Sequence, residues 1–253
     1  MNILILEKDE IGRRLPRSDR RWEHVKKVLK KGKGDTLAAG IASGAPSLGD
    51  ASIGQAIVRE LDDSGLVLDF EGFKGPSGVP PELAPITLVL GFPRPIQANR
   101  ILKDLASLGV ARIHLTGTEL GEKSYAQSSI FKDKDFRAPL IEGAEQAGNP
   151  RLPEVCTHWN LSRCLASLDR ARKEPETRIF LHPYGVEKRM GELSALTAPV
   201  TLAVGSERGW TEAELAALRQ SGFEACSLGA RILKTETAAL AAVTLALARL
   251  GIL

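Results

Sequence analysis

Residues 202–238 read LAVGSERGWTEAELAALRQSGFEACSLGARILKTETA. The segment begins as an apolar strand and turns through a loop with Gly205 and Gly209 at its ends. An amphipathic helix follows, for which Thr211 is the expected N-cap. A second short strand, FEACSLG, then runs through alternating apolar and charged positions into a long apolar helix. This order predicts two parallel strands joined by a helix.

The same alternation extends back to residue 86. Further apolar strands are predicted at ITLVLGF, ARIHLTG and RIFLHP, and further helices at NRILKDLASLG, DFRAPLIEGAEQAG and NLSRCLASLDRARK. Apolar strands that alternate with amphipathic helices predict an α/β domain whose parallel sheet is covered on both faces. Ligands bind beyond the carboxyl ends of such strands, so the loops at residues 205–209 and 228–238 are the candidate site.

The first part of the chain follows a different pattern. The segments ILIL, DTLAAGI, SIGQAIVREL and GLVLDFEGF predict short strands separated by glycine, serine and aspartate turns. A stretch rich in proline and glycine, GPSGVPPELAP, comes next and is typical of a stiff connector. We therefore predict a β-rich domain over residues 1–74, a linker over 75–85 and the α/β domain over 86–253.

Composition narrows the class of protein. The 253 residues are 43% hydrophobic and carry a net charge of +3, which excludes intrinsic disorder as the main state. Three cysteines without a CxxC pair supply neither a disulfide framework nor a thiolate zinc site, and the four histidines form no HExxH motif. We therefore expect no bound metal. Since neither a signal peptide nor a membrane span is recognisable, we expect a cytoplasmic protein without a membrane partner.

The basic residues are concentrated near the start of the chain. Residues 11–33 contain ten arginines and lysines and two acids, although the whole chain is almost neutral. Such a cluster is typical of a surface that contacts a polyanion, above all nucleic acid. The alternative is a solvated helix face: Ser18 can cap a helix over SDRRWEHVKKVLKKG whose Trp22, Val25, Val28 and Leu29 are buried.

Several segments together resemble a known family. They are the glycine loop followed by LG, RIL and TETA, the basic HVKKVL with Gly34 and Asp35, the helix LKDLASLGV, and Glu145-Gln146 with Leu152-Pro153. On these motifs the chain resembles, over essentially its whole length, the RsmE family of 16S ribosomal RNA uridine-N3 methyltransferases, which belongs to the SPOUT class.

The resemblance implies a specific fold and specific partners. It implies an N-terminal PUA-like β-barrel that binds RNA and a C-terminal SPOUT α/β domain with a mostly parallel sheet and a deep trefoil knot. Pattern alone predicts an open doubly wound sheet, because backbone knots are rare. The resemblance further implies S-adenosyl-L-methionine as the cofactor, ribosomal RNA or the small ribosomal subunit as the substrate, and a homodimer.

The resemblance also assigns residues. The cofactor would contact Leu181, Val204, Gly205, Glu207, Gly209, Leu228, Gly229 and Leu233. RNA would contact Arg17, Arg20, Arg21, His24, Lys26 and Lys103. The expected catalytic residues are Arg231, Lys234 and Glu236.

Methyl transfer to uracil N3 requires that the N3 proton be lost. A site therefore needs a base, or cations that stabilise the negative charge developing on O2 and O4. Arg231 and Lys234 would supply the cations, and Glu236 would orient one of them or accept the proton. The alternative is that Arg231 and Glu236 merely pair with each other to stabilise the turn.

Some positions depart from the family pattern. Serine and arginine stand at 206 and 208 where proline and glycine are usual, alanine at 230 replaces proline, and asparagine at 149 replaces arginine. Arg208 matters most, because a long cation stands where the backbone should approach the cofactor. Two alternatives to a uridine-N3 methyltransferase remain. One is a non-catalytic RNA-binding paralogue, and the other is a methyltransferase that acts on a different RNA nucleotide.

Overall fold

The computed structural model describes residues 1–42, 51–171 and 175–253. The described chain forms two compact units, which do not follow the chain order strictly. The first unit contains Met1–Glu82 and Ile141–Leu152, and the second contains Leu83–Leu140 and Pro153–Leu253. The division into residues 1–74, 75–85 and 86–253 stays a prediction, although residues 84 and 85 of the predicted linker already belong to a strand.

The first unit contains a five-stranded mixed sheet. Its strands are β1 (Leu4–Leu6), β2 (Arg14–Pro16), β3 (Thr36–Ile41), β4 (Ser52–Asp62) and β5 (Gly65–Gly72). Their order is β1-β3-β4-β5-β2, and only β1 and β3 pair in parallel. Four of these strands match predicted segments. Strand β2 was missed because it lies within the basic sequence and includes Pro16, which a strand tolerates at a sheet edge.

The predicted basic helix is shorter than expected. Helix α1 (Arg20–Glu23) begins after Asp19, whose carboxylate accepts a hydrogen bond from the Arg21 amide, so Asp19 rather than Ser18 is the N-cap. The chain continues in a π-helical turn, His24–Val28. Because this turn is wider than an α-helical one, the predicted buried face is only half correct. Trp22 and Val25 are buried, whereas Val28 and Leu29 are exposed.

The second unit contains a six-stranded sheet in which every pair of neighbouring strands is parallel. Its strands are β6 (Ala84–Gly91), β7 (Val110–Thr116), β8 (Glu154–His158), β9 (Thr177–Leu181), β10 (Val200–Val204) and β11 (Glu224–Cys226), in the order β11-β9-β10-β6-β7-β8. This confirms the predicted α/β class with a parallel sheet. Strand β8 was not predicted, since it is an edge strand with no fully buried residue and therefore lacks an apolar run.

Helices cover both faces of this sheet, as predicted. The helices of the second unit are α2 (Pro95–Ser107), α3 (Ser129–Lys132), α5 (Leu161–Arg170), α6 (Glu212–Gln220) and α7 (Thr235–Arg249). Helix α4 (Arg137–Ala147) begins in the second unit and ends in the first. Helices α5 and α6 pack with Val89, Phe180 and Ala203 in one buried cluster, whereas α2 and α7 contact each other and α7 contacts β6 and β10. Arg172 and Lys173, which end one predicted helix, lie outside the described residues. Among the described helices none has the length and hydropathy needed to cross a bilayer.

An ion-pair cluster stabilises the first unit. The Arg21 guanidinium donates to both carboxylate oxygens of Glu10 at 2.6 Å, to both of Asp19 at 2.7 and 3.0 Å, and to the Ile5 carbonyl at 3.2 Å. Burial raises the pKa of a carboxyl group, but the hydrogen bonds from Arg21 outweigh this effect, so the pKa values of Glu10 and Asp19 lie below their usual range. The native state therefore favours the charged forms of both carboxylates.

We expect Arg21→Met to lower the free energy of unfolding by about 3 kcal/mol at pH 7, because the two carboxylates lose their partner while remaining largely buried. Since the folded-state pKa values are lowered, the stabilisation is complete above the unfolded pKa values and is lost as pH falls through the folded ones. The deficit of the variant should therefore shrink between pH 7 and pH 3. Denaturant unfolding measures it, with Arg13→Met, at an exposed ion pair, as the control. An equal deficit at both pH values would contradict the assignment.

A second prediction concerns Gly91, the last residue of β6. A Cβ atom at this position would lie 2.4 Å from the Ser206 amide nitrogen and 2.9 Å from the Gly205 carbonyl carbon. Both atoms belong to backbone, so the clash cannot be relieved by a side-chain rotation. We expect Gly91→Ala to cost about 1–3 kcal/mol of unfolding free energy. Gly191→Ala, where a Cβ would meet no atom within 4 Å, should stay within about 0.5 kcal/mol of the wild type.

Candidate active site

The predicted cofactor residues gather at the carboxyl edge of the parallel sheet. Leu181 and Val204 are the last residues of β9 and β10, which are neighbours in the sheet. Leu181 also pairs with Cys226, the last residue of β11. The loops after β10 and β11 thus begin two strand spacings apart, at about 10 Å. Both predicted loops therefore start at the same edge.

Residues 205–209 form a tightly held loop. Gly205 is buried, and a Cβ there would lie 3.0 Å from the Gly209 carbonyl carbon, while Gly209 has a positive φ of 77°. Glu207 is fastened from outside the loop, since its Oε1 accepts a hydrogen bond from the Arg94 amide at 3.0 Å. The loop conformation therefore depends on both glycines, as their positions in the sequence suggested.

Ser206, one of the departures from the family pattern, is buried and hydrogen-bonded. The Thr118 hydroxyl donates to the Ser206 hydroxyl at 2.9 Å, and the Ser206 hydroxyl approaches the Gly209 carbonyl at 3.5 Å. The serine therefore links the loop to the segment after β7. Sequence analysis missed Thr118, because no local pattern connects residues 118 and 206.

The helix after the loop has the expected cap. Thr211 accepts a hydrogen bond from the Glu214 amide, and the Glu214 carboxylate accepts one from the Thr211 amide at 2.9 Å, which confirms Thr211 as the N-cap. The buried Glu214 also accepts a hydrogen bond from the Glu119 amide at 2.9 Å. Glu214 was missed, although a glutamate three residues after a threonine cap is a recognisable capping-box signal.

The segment after β11 leaves many polar groups available. Gly229 has a φ of 112°, and no atom lies within 4 Å of the position that its Cβ would take. Among the described residues, the amides of residues 228–233 donate no hydrogen bond to backbone or side chain. Backbone amides without a hydrogen-bond acceptor, next to a glycine with free space beside it, can donate hydrogen bonds to a bound ligand. This arrangement fits the backbone role expected of Leu228, Gly229 and Leu233.

The three expected catalytic residues lie at this same segment. Arg231 and Lys234 are exposed, and Glu236 is half-buried in the first turn of α7. The alternative of an ion pair between Arg231 and Glu236 is wrong for the described part of the chain, where neither side chain has a charged partner. Arg208 is likewise exposed in the neighbouring loop, without an ion pair to any described residue.

Most residues expected to bind RNA belong to the first unit, where several are held by carboxylates. Arg20 lies 2.5 Å from the buried Glu145, Arg21 is in the cluster described above, and Lys26 pairs with Asp63 at 2.9 Å. The Lys26 ammonium and the Arg17 guanidinium also lie over the Trp22 ring, at 4.7 and 5.2 Å from its centroid. The expected His24 is half-buried in the π-helical turn, and Lys103 is exposed on α2 in the second unit.

Four basic side chains of the 11–33 window have no ion-pair partner among residues 1–42, 51–171 and 175–253. They are Arg17, Lys30, Lys31 and Lys33. Lys30, Lys31 and Lys33 follow the π-helical turn, and Lys30 has a positive φ of 52°. Among the described residues, the other six basic side chains of the window therefore each have a carboxylate partner.

Comparison with known proteins finds RNA methyltransferases, both by family model and by individual relatives. A family model described as an RNA methyltransferase domain matches residues 80–247. The ribosomal RNA small subunit methyltransferase E of Treponema pallidum is 36% identical, over 98% of this chain and 91% of its own length. The methyltransferase E 1 of Borreliella burgdorferi is 34% identical, over 96% and 95%.

A solved structure has the same fold. The ribosomal RNA small subunit methyltransferase E of Neisseria gonorrhoeae, bound to S-adenosyl methionine, superposes with a TM-score of 0.72 at 21% identity and covers 98% of both chains. This likeness supports the fold alone, whereas the two relatives above 30% identity establish descent along nearly the full length. The chain belongs to the ribosomal RNA small subunit methyltransferase E family.

Proposed function

We propose that this protein transfers a methyl group from S-adenosyl-L-methionine to N3 of a uridine in 16S ribosomal RNA. The observation that carries the proposal is the near-complete overlap with the Treponema pallidum enzyme, whose name gives small-subunit ribosomal RNA as its substrate. Because the match covers almost all of both chains, the Treponema pallidum enzyme resembles this protein in both the first and the second unit.

The loops at the carboxyl edge of the sheet fit a cofactor with many polar atoms. Gly209 and Gly229 have positive φ angles and open space beside them, and the amides of residues 228–233 are available among the described residues. Leu181, Val204, Gly205, Glu207, Leu228 and Leu233 would complete the contacts of the bound cofactor. The cofactor supplies an electrophilic methyl group, and the protein supplies position and electrostatics.

The exposed residues after β11 suit the acceptor side of the reaction. The uridine N3 proton must leave, and negative charge spreads onto O2 and O4. Arg231 and Lys234 are free to stabilise this charge, because no described carboxylate neutralises them. Glu236, in the first turn of α7, would orient one cation or accept the proton.

Two departures from the family pattern are compatible with activity. Asn149 belongs to the first unit, where its amide donates to the Pro81 carbonyl at 3.0 Å and its carbonyl accepts from the Arg151 amide at 3.0 Å. Arg208 is exposed and lies between glycines that hold the loop conformation without it. We therefore treat neither departure as evidence against activity.

The family knot is also proposed for this chain. The connection between β9 and β10 meets the chain after β11: the Ser227 amide donates to the Lys188 carbonyl and the Met190 amide to the Ser227 carbonyl, both at 2.9 Å. From there the chain enters α7, which contacts β6 and β10. A knot requires the chain to thread through the connection between β9 and β10. The contacts of Ser227 with residues 188–190, followed by the packing of α7 against β6 and β10, support such threading. The PUA-like barrel and the homodimer likewise remain proposals.

We expect the purified protein to methylate small ribosomal subunits or 16S ribosomal RNA from a strain that lacks the modification, as measured with labelled cofactor. Mass spectrometry of nuclease fragments should place the methyl group on uridine N3. Methylation of another nucleotide would support the alternative substrate, and cofactor binding without transfer to any RNA would support the non-catalytic paralogue.

Arg231→Ala should lower kcat by about 100-fold with cofactor affinity unchanged, because it removes one donor to the developing charge. Arg163→Ala, at an exposed position of α5, is the matched control and should retain wild-type kcat. Single-turnover kinetics and cofactor titration measure the two effects separately. If the Arg231 variant kept its kcat, the catalytic assignment would be wrong.

The triple variant K30Q/K31Q/K33Q should weaken RNA binding and reduce the slope of log affinity against log salt by about 2, as expected for three lost contacts to single-stranded RNA. The control is R163Q/R170Q on α5, which should keep the wild-type slope. Filter binding at several salt concentrations makes the comparison. These lysines have no ion pair with a described residue, whereas neutralising Arg21 would also destabilise the fold. An unchanged slope in the triple variant would exclude this surface.

A further inference from the structure

Three side chains that can bind a metal meet on one face of the parallel sheet in the second unit. They are His114 in β7, His158 at the end of β8 and Cys164 on α5. One ring nitrogen of each histidine and the cysteine sulfur all lie within 4.8 Å of one another. The three residues are far apart in sequence, so the fold alone brings them together.

The strand register explains this meeting. His114 pairs with Cys156 and Thr116 pairs with His158, so both histidines lie on the same face of neighbouring strands, displaced by two residues. Helix α5 contacts β7 and β8 and carries Cys164, which is fully buried in the cluster between the helices and the sheet. His114 is 6% exposed. The donors are therefore held by regular secondary structure rather than by loops.

The two imidazoles face each other with nitrogen atoms rather than with ring carbons. His114 Nδ1 and His158 Nε2 lie 2.8 Å apart, and the rings are parallel. Two nitrogens at this distance share a single proton, which a cation can replace. An imidazole pair beside a thiol is a donor set that favours zinc over calcium or magnesium, which prefer oxygen.

We propose that His114, His158 and Cys164 form a zinc site. Tetrahedral zinc with ordinary bond lengths separates two nitrogens by about 3.3 Å and a nitrogen from a sulfur by about 3.6 Å. The observed spacings reach these values with side-chain movements of about one ångström or less. The thiolate neutralises part of the charge of the ion in this buried place, and the fourth position is left to water or to Cys156, opposite His114 in the register.

The site has a structural consequence that is separate from methyl transfer. An ion bound by β7, β8 and α5 would fasten the helix to the edge of the sheet, where β8 is the outermost strand. Zinc that binds the native chain stabilises it by mass action, so saturating zinc should raise the melting temperature. This proposal does not depend on the proposed function, and the expectation from the sequence of no metal is revised by it.

The test uses the full chain without an affinity tag, stripped with a chelator and then titrated with Zn²⁺ in competition with a chromophoric chelator. We expect one equivalent to bind. His158→Gln and Cys164→Ala should each weaken zinc binding by about 100-fold or more, since each removes a ligand. The matched controls His182→Gln and Cys226→Ala, which change a histidine and a buried cysteine outside the cluster, should bind zinc like the wild type.

A second measurement does not depend on variants that fold. Co²⁺ added to the stripped wild-type chain should give a thiolate-to-cobalt charge-transfer band together with the absorption of a tetrahedral ion, and Zn²⁺ should abolish both. Absence of one-equivalent zinc binding in the wild type, equal affinity in all four variants, or a cobalt spectrum without the thiolate band would each overturn the proposal. The cluster would then be a hydrogen-bonded histidine pair beside an apolar thiol.

Discussion

Gly91 allows the end of β6 to lie against the backbone that leaves β10, and the candidate site depends on this contact. A side chain there would separate the two segments, because the nearest atoms are the backbone of Gly205 and Ser206. This close contact fixes the direction in which the chain turns after β10. The capped helix α6 follows from it, and β11 follows α6. The pairing of β11 with β9 then brings the amides of residues 228–233 to the same sheet edge.

Arg20 and Arg21 in the first unit are held in ion pairs, whereas the cations after β11 in the second unit have none among the described residues. In the first unit, carboxylates hold Arg20 and Arg21, and burial raises the pKa of the Glu145 carboxyl despite the nearby Arg20. A buried charge without a partner is costly, so such pairs are needed where helix and sheet meet. Arg231 and Lys234 lie in solvent, where an unpaired cation costs little. Cations that stabilise nothing in the fold remain available for a negatively charged ligand.

Local patterns predicted the elements of the fold well, and contacts between distant residues poorly. The apolar strand 200–204 and the Thr211 cap follow from neighbouring residues, and both were predicted correctly. Strands β2 and β8 were missed because each lies at an edge and shows no apolar run. The ion pair of Arg20 with Glu145 and the link of Thr118 to Ser206 each join distant parts of the sequence, which periodicity does not reveal.

The histidines also show that sequence patterns do not reveal contacts between distant residues. The sequence shows no HExxH motif and therefore predicts no metal site, and the structure buries His114, whose pKa is lowered to about 4 by desolvation and by the nearby His158. A ligand motif on one helix is visible as a spacing of three or four residues, whereas donors on two parallel strands are separated by a whole crossover helix. Only the register of β7 with β8 brings the rings to 2.8 Å. Parallel sheets can therefore assemble donor clusters that no linear motif predicts.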